Sequence, residues 1–198
     1  MSYEHLLRID KPFFTQHDVA YALGIKLAST AVLCNRYVKK GLLMRLKRGL
    51  YARTETLGHL GQIDLFHIAN MLQVPSYISL MTALSYYGIT PQVQKGFLES
   101  ISVKRTKTFD VGSLSFHYIK LRPDLYREFI KKDGVFIALP EKAVLDTLYL
   151  ASLGRYSFDG SFLDLTIVDD RMLTELSALY PSKVRKYFEE VYAKINRA

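Results

Sequence analysis

Residues 24–53 hold eight cations, Lys26, Arg36, Lys39, Lys40, Arg45, Lys47, Arg48 and Arg53, and no Asp or Glu. Ammonium and guanidinium groups at that density suit phosphate, and an arginine can also pair with a guanine edge through two hydrogen bonds. The chemistry expected of this stretch is therefore recognition of double-stranded DNA. Ser29, Leu33, Arg36 and Lys40 recur at helical spacing and are expected to face outward together. Arg36 is the candidate for a guanine edge, and Leu33 for a thymine methyl, with packing against a neighbouring element as the commoner fate of such a leucine. Ser29 and Thr30 are candidates for bases or phosphate. Lys26, Lys39, Lys40, Arg45 and Arg53 complete the set, with Lys47 and Arg48 expected on phosphate or in the minor groove.

Other reactive residues support less. His5, His17, His59, His67 and His117 show no HExxH or paired-ligand spacing, so neither a metal nor another cofactor is expected. Cys34 is the one cysteine, which excludes a disulfide framework, and it falls on an apolar helix stripe where a thiol behaves as a small hydrophobe. Asp124, Glu128 and Lys131 resemble the carboxylate–lysine set of a metal-dependent nuclease, yet they fit one or two helical turns and read as exposed charge. Glu141 suits a helix N-terminus and Lys142 with Asp146 an i,i+4 pair, so all three read as structural. No catalytic residue is expected. There are fourteen tyrosines and no tryptophan. Tyr77, Tyr86, Tyr87, Tyr149 and Tyr156 lie in apolar segments, which points to the core rather than to stacking on bases.

The elements that must position the cations are legible around them. Thr15 suits an N-cap with Asp18 closing a capping box, and Phe14 with Val19 forms a hydrophobic staple. Gly24 ends that helix. A second helix is expected over 27–40, with Leu27, Ala31, Cys34 and Val38 as its buried stripe, ending at Lys39-Lys40-Gly41. Two short strands, 43–46 and 50–53, then bracket Lys47-Arg48-Gly49, with Met44 and Leu46 sharing one face. Helix, turn, helix and basic hairpin in that order spell a winged helix-turn-helix. Upstream, residues 3–9 suggest a short helix with Leu6, Leu7 and Ile9 in contact.

The rest of the chain is less charged. Residues 1–57 carry ten Lys/Arg against four Asp/Glu, and residues 58–198 carry seventeen against fifteen, so most of the net charge of +8 sits at the N-terminal end. Residues 55–61 suggest a linker. Helices are expected over 63–72 and 76–87, a hairpin from 98–104 and 113–121 around Asp110-Val111-Gly112, and a helix or loop over 123–132 with Leu125, Tyr126 and Phe129 facing in. A strand over 135–139 precedes a helix opened by Pro140, and two tail helices follow, 172–179 and 182–196. Residues 65–94 lack charge, but Pro75 and regularly spaced polar residues interrupt them, so buried helices are expected rather than a bilayer span. The charged start is unlike a signal peptide, and a cytoplasmic location with no membrane contact is the expectation.

Three segments in order, residues 75–90 (PSYISLMTALSYYGIT), 115–119 (SFHYI) and 137–146 (IALPEKAVLD), resemble the AbiEi antitoxin family, and residues 38–51 (VKKGLLMRLKRGLY) are similar to that family's winged-helix segment. Thr82-Ala83-Leu84 departs mildly from the family's small Ser/Ala–Leu combinations, and the tail after Gly154 matches nothing in it. The resemblance implies a transcriptional autorepressor and antitoxin of an abortive-infection toxin–antitoxin operon. It implies that two copies bind inverted repeats in the promoter through the winged helix, with Arg36, Lys39, Lys40, Arg45, Lys47 and Arg48 on DNA. It further implies a nucleotidyltransferase-like toxin, counteracted without a stable complex. The expected fold is α+β: a winged helix over 1–57, then an antitoxin domain over 60–198 with a small antiparallel sheet flanked by helices. The competing readings are a ligand-responsive repressor with its pocket in 65–94, and a nuclease using Asp124, Glu128 and Lys131.

Overall fold

The computed structural model describes residues 3–195, and the chain is α+β. It divides into two compact units, Met1–Ile68 with Asp110–Leu114, and Ala69–Phe109 with Ser115–Ala198.

In the first unit a 3-10 turn, Tyr3–Arg8, precedes a short strand β1, Phe13–Thr15. Leu6 and Ile9 are buried as expected, whereas Leu7 is exposed. Helix α1, Gln16–Leu23, starts from the expected box: the Asp18 N–H donates to Thr15 Oγ1 at 3.2 Å and the Thr15 N–H to Asp18 Oδ2 at 2.7 Å. Phe14 and Val19 are both buried beside it. Gly24 closes the helix at φ 60°, a left-handed conformation that only glycine adopts freely. Helix α2 spans Leu27–Lys39. Strands β2, Leu43–Lys47, and β3, Leu50–Arg53, form the hairpin, and β1 adds to β3 to give the sheet order β1-β3-β2. A register shift between Arg45 and Lys47 turns Leu43 and Leu46 inward, so Met44 and Leu46 do not share a face. A one-turn helix α3, Thr54–Leu57, replaces the first part of the expected linker.

Helix α4, Gln62–Leu72, leads into the second unit. The uncharged run that suggested a helix over 76–87 is split: Ser76–Ile78 is strand β4, and helix α5 covers Leu80–Tyr86. Strand propensity in Tyr77-Ile78 is realised because both faces of β4 are buried. Five further strands complete the sheet before the helix α6: β5 Phe97–Ser102, β6 Lys107–Val111, β7 Leu114–Lys120, β8 Phe129–Lys132 and β9 Val135–Ala138 make, with β4, six strands in the order β6-β7-β5-β4-β9-β8. The sheet is mixed, not small and antiparallel. β5 runs parallel to β7 and β4 parallel to β9, while β4·β5 and β8·β9 are antiparallel. The hairpin partner of β7 is thus β6, and the expected pairing of 98–104 with 113–121 is realised as a parallel one. Helix α6, Pro140–Ser152, carries Pro140 in its first turn, and α7, Asp170–Ser177, with α8, Ser182–Ile195, packs against it. The expected tail helix runs to residue 196, which lies outside the described residues.

Buried polar groups tie this unit together. Asp146 on α6 is fully buried and accepts from Tyr77 Oη and Ser79 Oγ, both at 2.9 Å, and from the Lys142 ammonium. Lys142 also donates to Tyr180 Oη at 3.0 Å. The expected i,i+4 pair is present, and it lies in the core. On β5, buried Glu99 accepts from the Met81 N–H at 3.2 Å and Tyr156 Oη at 2.8 Å. Burial pushes its carboxyl up to about 7, against the partial relief those two donors give.

Removing the acid from the buried pair leaves an uncompensated ammonium, so Asp146→Ala should cost about 3–5 kcal/mol in chemical unfolding. Lys142→Met with Asp146→Leu should recover most of that loss. Glu99 makes a separate prediction. Its folded value lies above the ordinary 4.5, so between the two values the folded chain holds a proton that the unfolded chain has released. Stability should fall by roughly 3 kcal/mol as pH rises from about 4.5 through about 7, and then level off. Glu99→Gln, which keeps the acceptor, should flatten that part of a stability-against-pH profile.

Candidate nucleic-acid interface

Helix α2 sets the geometry of the acid-free stretch. Its buried positions are Thr30, Leu33, Cys34 and Tyr37, the i, i+3, i+4, i+7 pattern of one helix face. They pack with Leu6, Phe14, Val19, Leu43 and Tyr51. Of the expected stripe Cys34 is buried and Val38 packs half-buried against the core, whereas Leu27 at the helix start is 42% exposed. At 100° per residue the true stripe is turned by about 80° from the expected one. Two site residues are thereby corrected. Leu33 is 6% exposed and fills the core, so it cannot reach a thymine methyl. Thr30 is fully buried, and its hydroxyl donates to the Leu27 carbonyl at 2.6 Å.

The same rotation brings out residues that sequence reasoning missed. Ala28, Ser29, Val32, Asn35, Arg36 and Lys39 are all exposed on α2, and Val32 is 72% exposed. Val32 is thus the exposed aliphatic side chain of this face in place of Leu33, and the Asn35 amide carries a donor and an acceptor side by side. Tyr37, four residues after Leu33, was the signal for the correct phase, because an aromatic at that spacing outweighs Leu27 near the helix end. The Arg36 guanidinium lies 5.8 Å from the Tyr37 ring centre and stays exposed.

Around this face the cations are distributed by the backbone. Lys26 precedes α2, whose first turn contains no acid, and the helix dipole at that end favours an anion. Lys39 and Lys40 end the helix, Gly41 following at φ 70°. On the hairpin Arg45 and Arg48 are exposed, while Lys47 is half-buried and already interacts within the chain. Gly49 at φ 79° lets the tip turn, and its carbonyl accepts from the Gln16 N–H at 3.2 Å, which fixes the tip to the start of α1. Arg53 is half-buried, and its Nε is enclosed without a hydrogen-bond partner. Cys34 is inert: burial pushes its thiol up to about 11.

Elsewhere the alternatives lose their geometry. Residues 123–132 form a 3-10 turn and β8 instead of a helix, so Asp124, Glu128 and Lys131 do not share a helix face. Asp124 is engaged by both forks of Arg122, at 3.0 and 2.8 Å. Among the described residues no three His, Cys, Asp or Glu side chains are grouped to hold a metal ion, and no helix is long and apolar enough to cross a membrane. A cavity of about 340 Å³ lies between α6, α7 and α8, outside residues 65–94, lined by Leu145, Leu148, Leu173 and Phe188 together with polar residues including Asp170 and Glu189.

Residues 1–54 match the family described as "Transcriptional regulator, AbiEi antitoxin". The match bears out the resemblance to that family and takes in α1, α2 and the β2–β3 hairpin. The matched stretch is similar to that family of antitoxins described as transcriptional regulators. No curated protein matches the chain.

The two faces of α2 are separable by stability alone. Leu33→Ala should cost about 2–4 kcal/mol, because it opens a cavity in the core. Val32→Ala should stay within about 0.5 kcal/mol of the wild type in the same unfolding assay.

Proposed function

We propose that the chain is the antitoxin and transcriptional autorepressor of a toxin–antitoxin operon, and that residues 1–57 act as a winged helix-turn-helix on double-stranded DNA. The observation that carries this reading is the acid-free, outward face of α2 beside a cationic hairpin, in the segment that matches the antitoxin regulators. In it, α2 enters a major groove. Arg36 and Asn35 face base edges, Val32 meets a thymine methyl, and Ser29 lies within reach of bases or phosphate. Lys26 and the free amides at the α2 N-terminus hold one phosphate, and Lys39 with Lys40 holds the flanking backbone. Arg45 and Arg48 on the β2–β3 wing track the adjacent strand. Two copies occupy the arms of an inverted repeat, about one helical turn of 34 Å apart or a multiple of it.

Residues 60–198 then form the antitoxin domain, which counteracts a nucleotidyltransferase-like toxin without requiring a stable complex. The resemblance of residues 75–90, 115–119 and 137–146 to the family supports this half. In this reading Lys142 and Asp146 serve the core of that domain, where Tyr77, Ser79 and Tyr180 bond to them. Co-expression tests it: the chain should relieve growth arrest caused by a nucleotidyltransferase-like protein encoded beside it, and persistent arrest would sink the antitoxin half alone.

For the DNA half, selection from a random duplex pool should enrich a symmetric element. With about six phosphate contacts per copy, log affinity should fall against log salt with a slope near −5. Arg48→Glu should weaken binding to every sequence, while Arg36→Ala should lose about 1–3 kcal/mol of discrimination at one base position. No enrichment, or a flat salt dependence, would falsify the reading.

A further inference from the structure

The cavity of about 340 Å³ between α6, α7 and α8 lies wholly within the second unit. Its walls are of two kinds. Leu145 and Leu148 on α6, Leu173 on α7 and Phe188 on α8 are buried and make an apolar inner wall. Asp170 and Thr174 on α7 and Glu189 on α8 are exposed at its mouth, with Ser177 and Tyr192 half-buried beside them. The chain as a whole has a net charge of +8, yet the charged groups among the described residues lining this cavity are two carboxylates.

Hydrogen bonding within the polar wall decides what it can take. The Tyr192 hydroxyl donates to Asp170 Oδ1 and so joins α8 to α7. The Thr174 hydroxyl donates to the Asp170 carbonyl at 2.8 Å, and the Ser177 hydroxyl to the Thr174 carbonyl at 2.7 Å. A hydroxyl has one proton to give, and these three have given theirs within the chain. What the wall still offers is acceptors: the hydroxyl lone pairs, the second Asp170 oxygen and the Glu189 carboxylate. Arg171 follows Asp170, and Arg185 stands one turn before Glu189, but among the described residues neither acid enters an ion pair.

A carboxylate or phosphate would therefore meet like charge and no side-chain donor. A cationic donor meets both carboxylates, and charge-assisted bonds of that kind are the strong ones. Hydrocarbon behind the charged head is favoured by the four apolar side chains of the inner wall. Ligand pockets run from about 300 to 1,000 Å³, so this one takes a small body, a single ring or a short branched chain.

We propose that the cavity is a binding site for a small organic amine, with Asp170 and Glu189 taking the ammonium head and the α6–α7–α8 apolar wall its body. The Phe188 ring packs edge-on against Tyr180, with centroids 5.5 Å apart, and Tyr180 Oη accepts from Lys142. An occupied cavity thus braces α8 against the network that holds β4 to α6. The site draws no residue from the first unit, so it does not rest on the reading of α2 as a DNA-binding helix.

The probe is 2-phenylethylamine, which is protonated at neutral pH, with 2-phenylethanol and 3-phenylpropionate as neutral and anionic counterparts of similar shape. Titration of the full chain, followed by NMR, should saturate with a dissociation constant of about 1 mM or tighter and move the Thr174, Phe188 and Tyr192 signals. The alcohol and the acid should bind at least about tenfold more weakly. Asp170→Asn/Glu189→Gln keeps the size and the oxygens of both side chains. It should weaken the amine at least about tenfold and leave the alcohol within about twofold. Ser177→Leu narrows the hollow without touching either acid, and should weaken amine and alcohol alike by at least about fivefold.

No saturation by the amine at about 10 mM overturns the proposal. So does equal binding of amine and alcohol by the wild type, which needs no variant to fold. An amine affinity unchanged in Asp170→Asn/Glu189→Gln, or shifts confined to residues outside the lining, rejects it as well.

Discussion

One buried carboxylate, Asp146, governs the construction of the second unit. It takes three donors from two elements, Tyr77 and Ser79 around β4 and Lys142 on α6, and Lys142 carries the connection on to Tyr180. A buried ion pair offsets its desolvation only when its remaining donors and acceptors are also met, so the four partners constrain one another. The strand that supplies Tyr77 must lie against the helix that supplies Asp146, in one register. Between Ser79 and Met81 the chain passes through Leu80 at φ 56°, a left-handed conformation that is unfavourable for leucine. It is clamped on both sides: Ser79 by Asp146, and Met81 by Glu99. Backbone strain of this kind persists where the surroundings over-determine it.

That network also explains what the resemblance in the second unit is made of. Residues 75–90 and 137–146 are far apart in sequence, and they are the two segments whose side chains meet at Asp146. Their polar residues, which at first suggest acid–base chemistry, are used up in holding β4 to α6. An antitoxin surface would then have to be sought on the exterior that this core supports.

Local signals were legible and long-range ones were not. The Thr15–Asp18 box, the Gly24 and Gly41 helix ends, the Gly49 turn and Pro140 at the start of α6 depend on neighbours within a few residues, and the sequence displays them directly. The three residues of β1 become a strand only because β3 pairs with them from residues 50–52. Ser76–Ile78 looked helical within an uncharged run, and only burial between β5 and β9 makes it a strand. The interface shows the same divide. Its cations were found from composition, but the face of α2 was misjudged by about 80°. Leu27, Ala31, Cys34 and Val38 satisfy helical spacing as well as Thr30, Leu33, Cys34 and Tyr37 do. What separates them is the core beneath, where Leu33 and Tyr37 pack with Phe14, Leu43 and Tyr51.

Charge counted along the chain misleads for a related reason. Parallel pairing of β5 with β7 brings Ser102 next to Lys120, so that the Lys120 N–H reaches Thr106 Oγ1 across 14 residues of sequence, while nearby Arg122 is paired with Asp124. The two cationic surfaces differ in what lies among the charges. On α2 the cations stand beside Asn35, Ser29 and Val32, an exposed set of mixed polarity. Around Lys104 and Lys120 the charges stand without such a set, on loops and strand ends too irregular to follow a groove. Phosphate contacts set affinity and register, and base contacts set sequence. A count of cations along the chain therefore says little about a surface until the neutral side chains standing among them are placed by the fold.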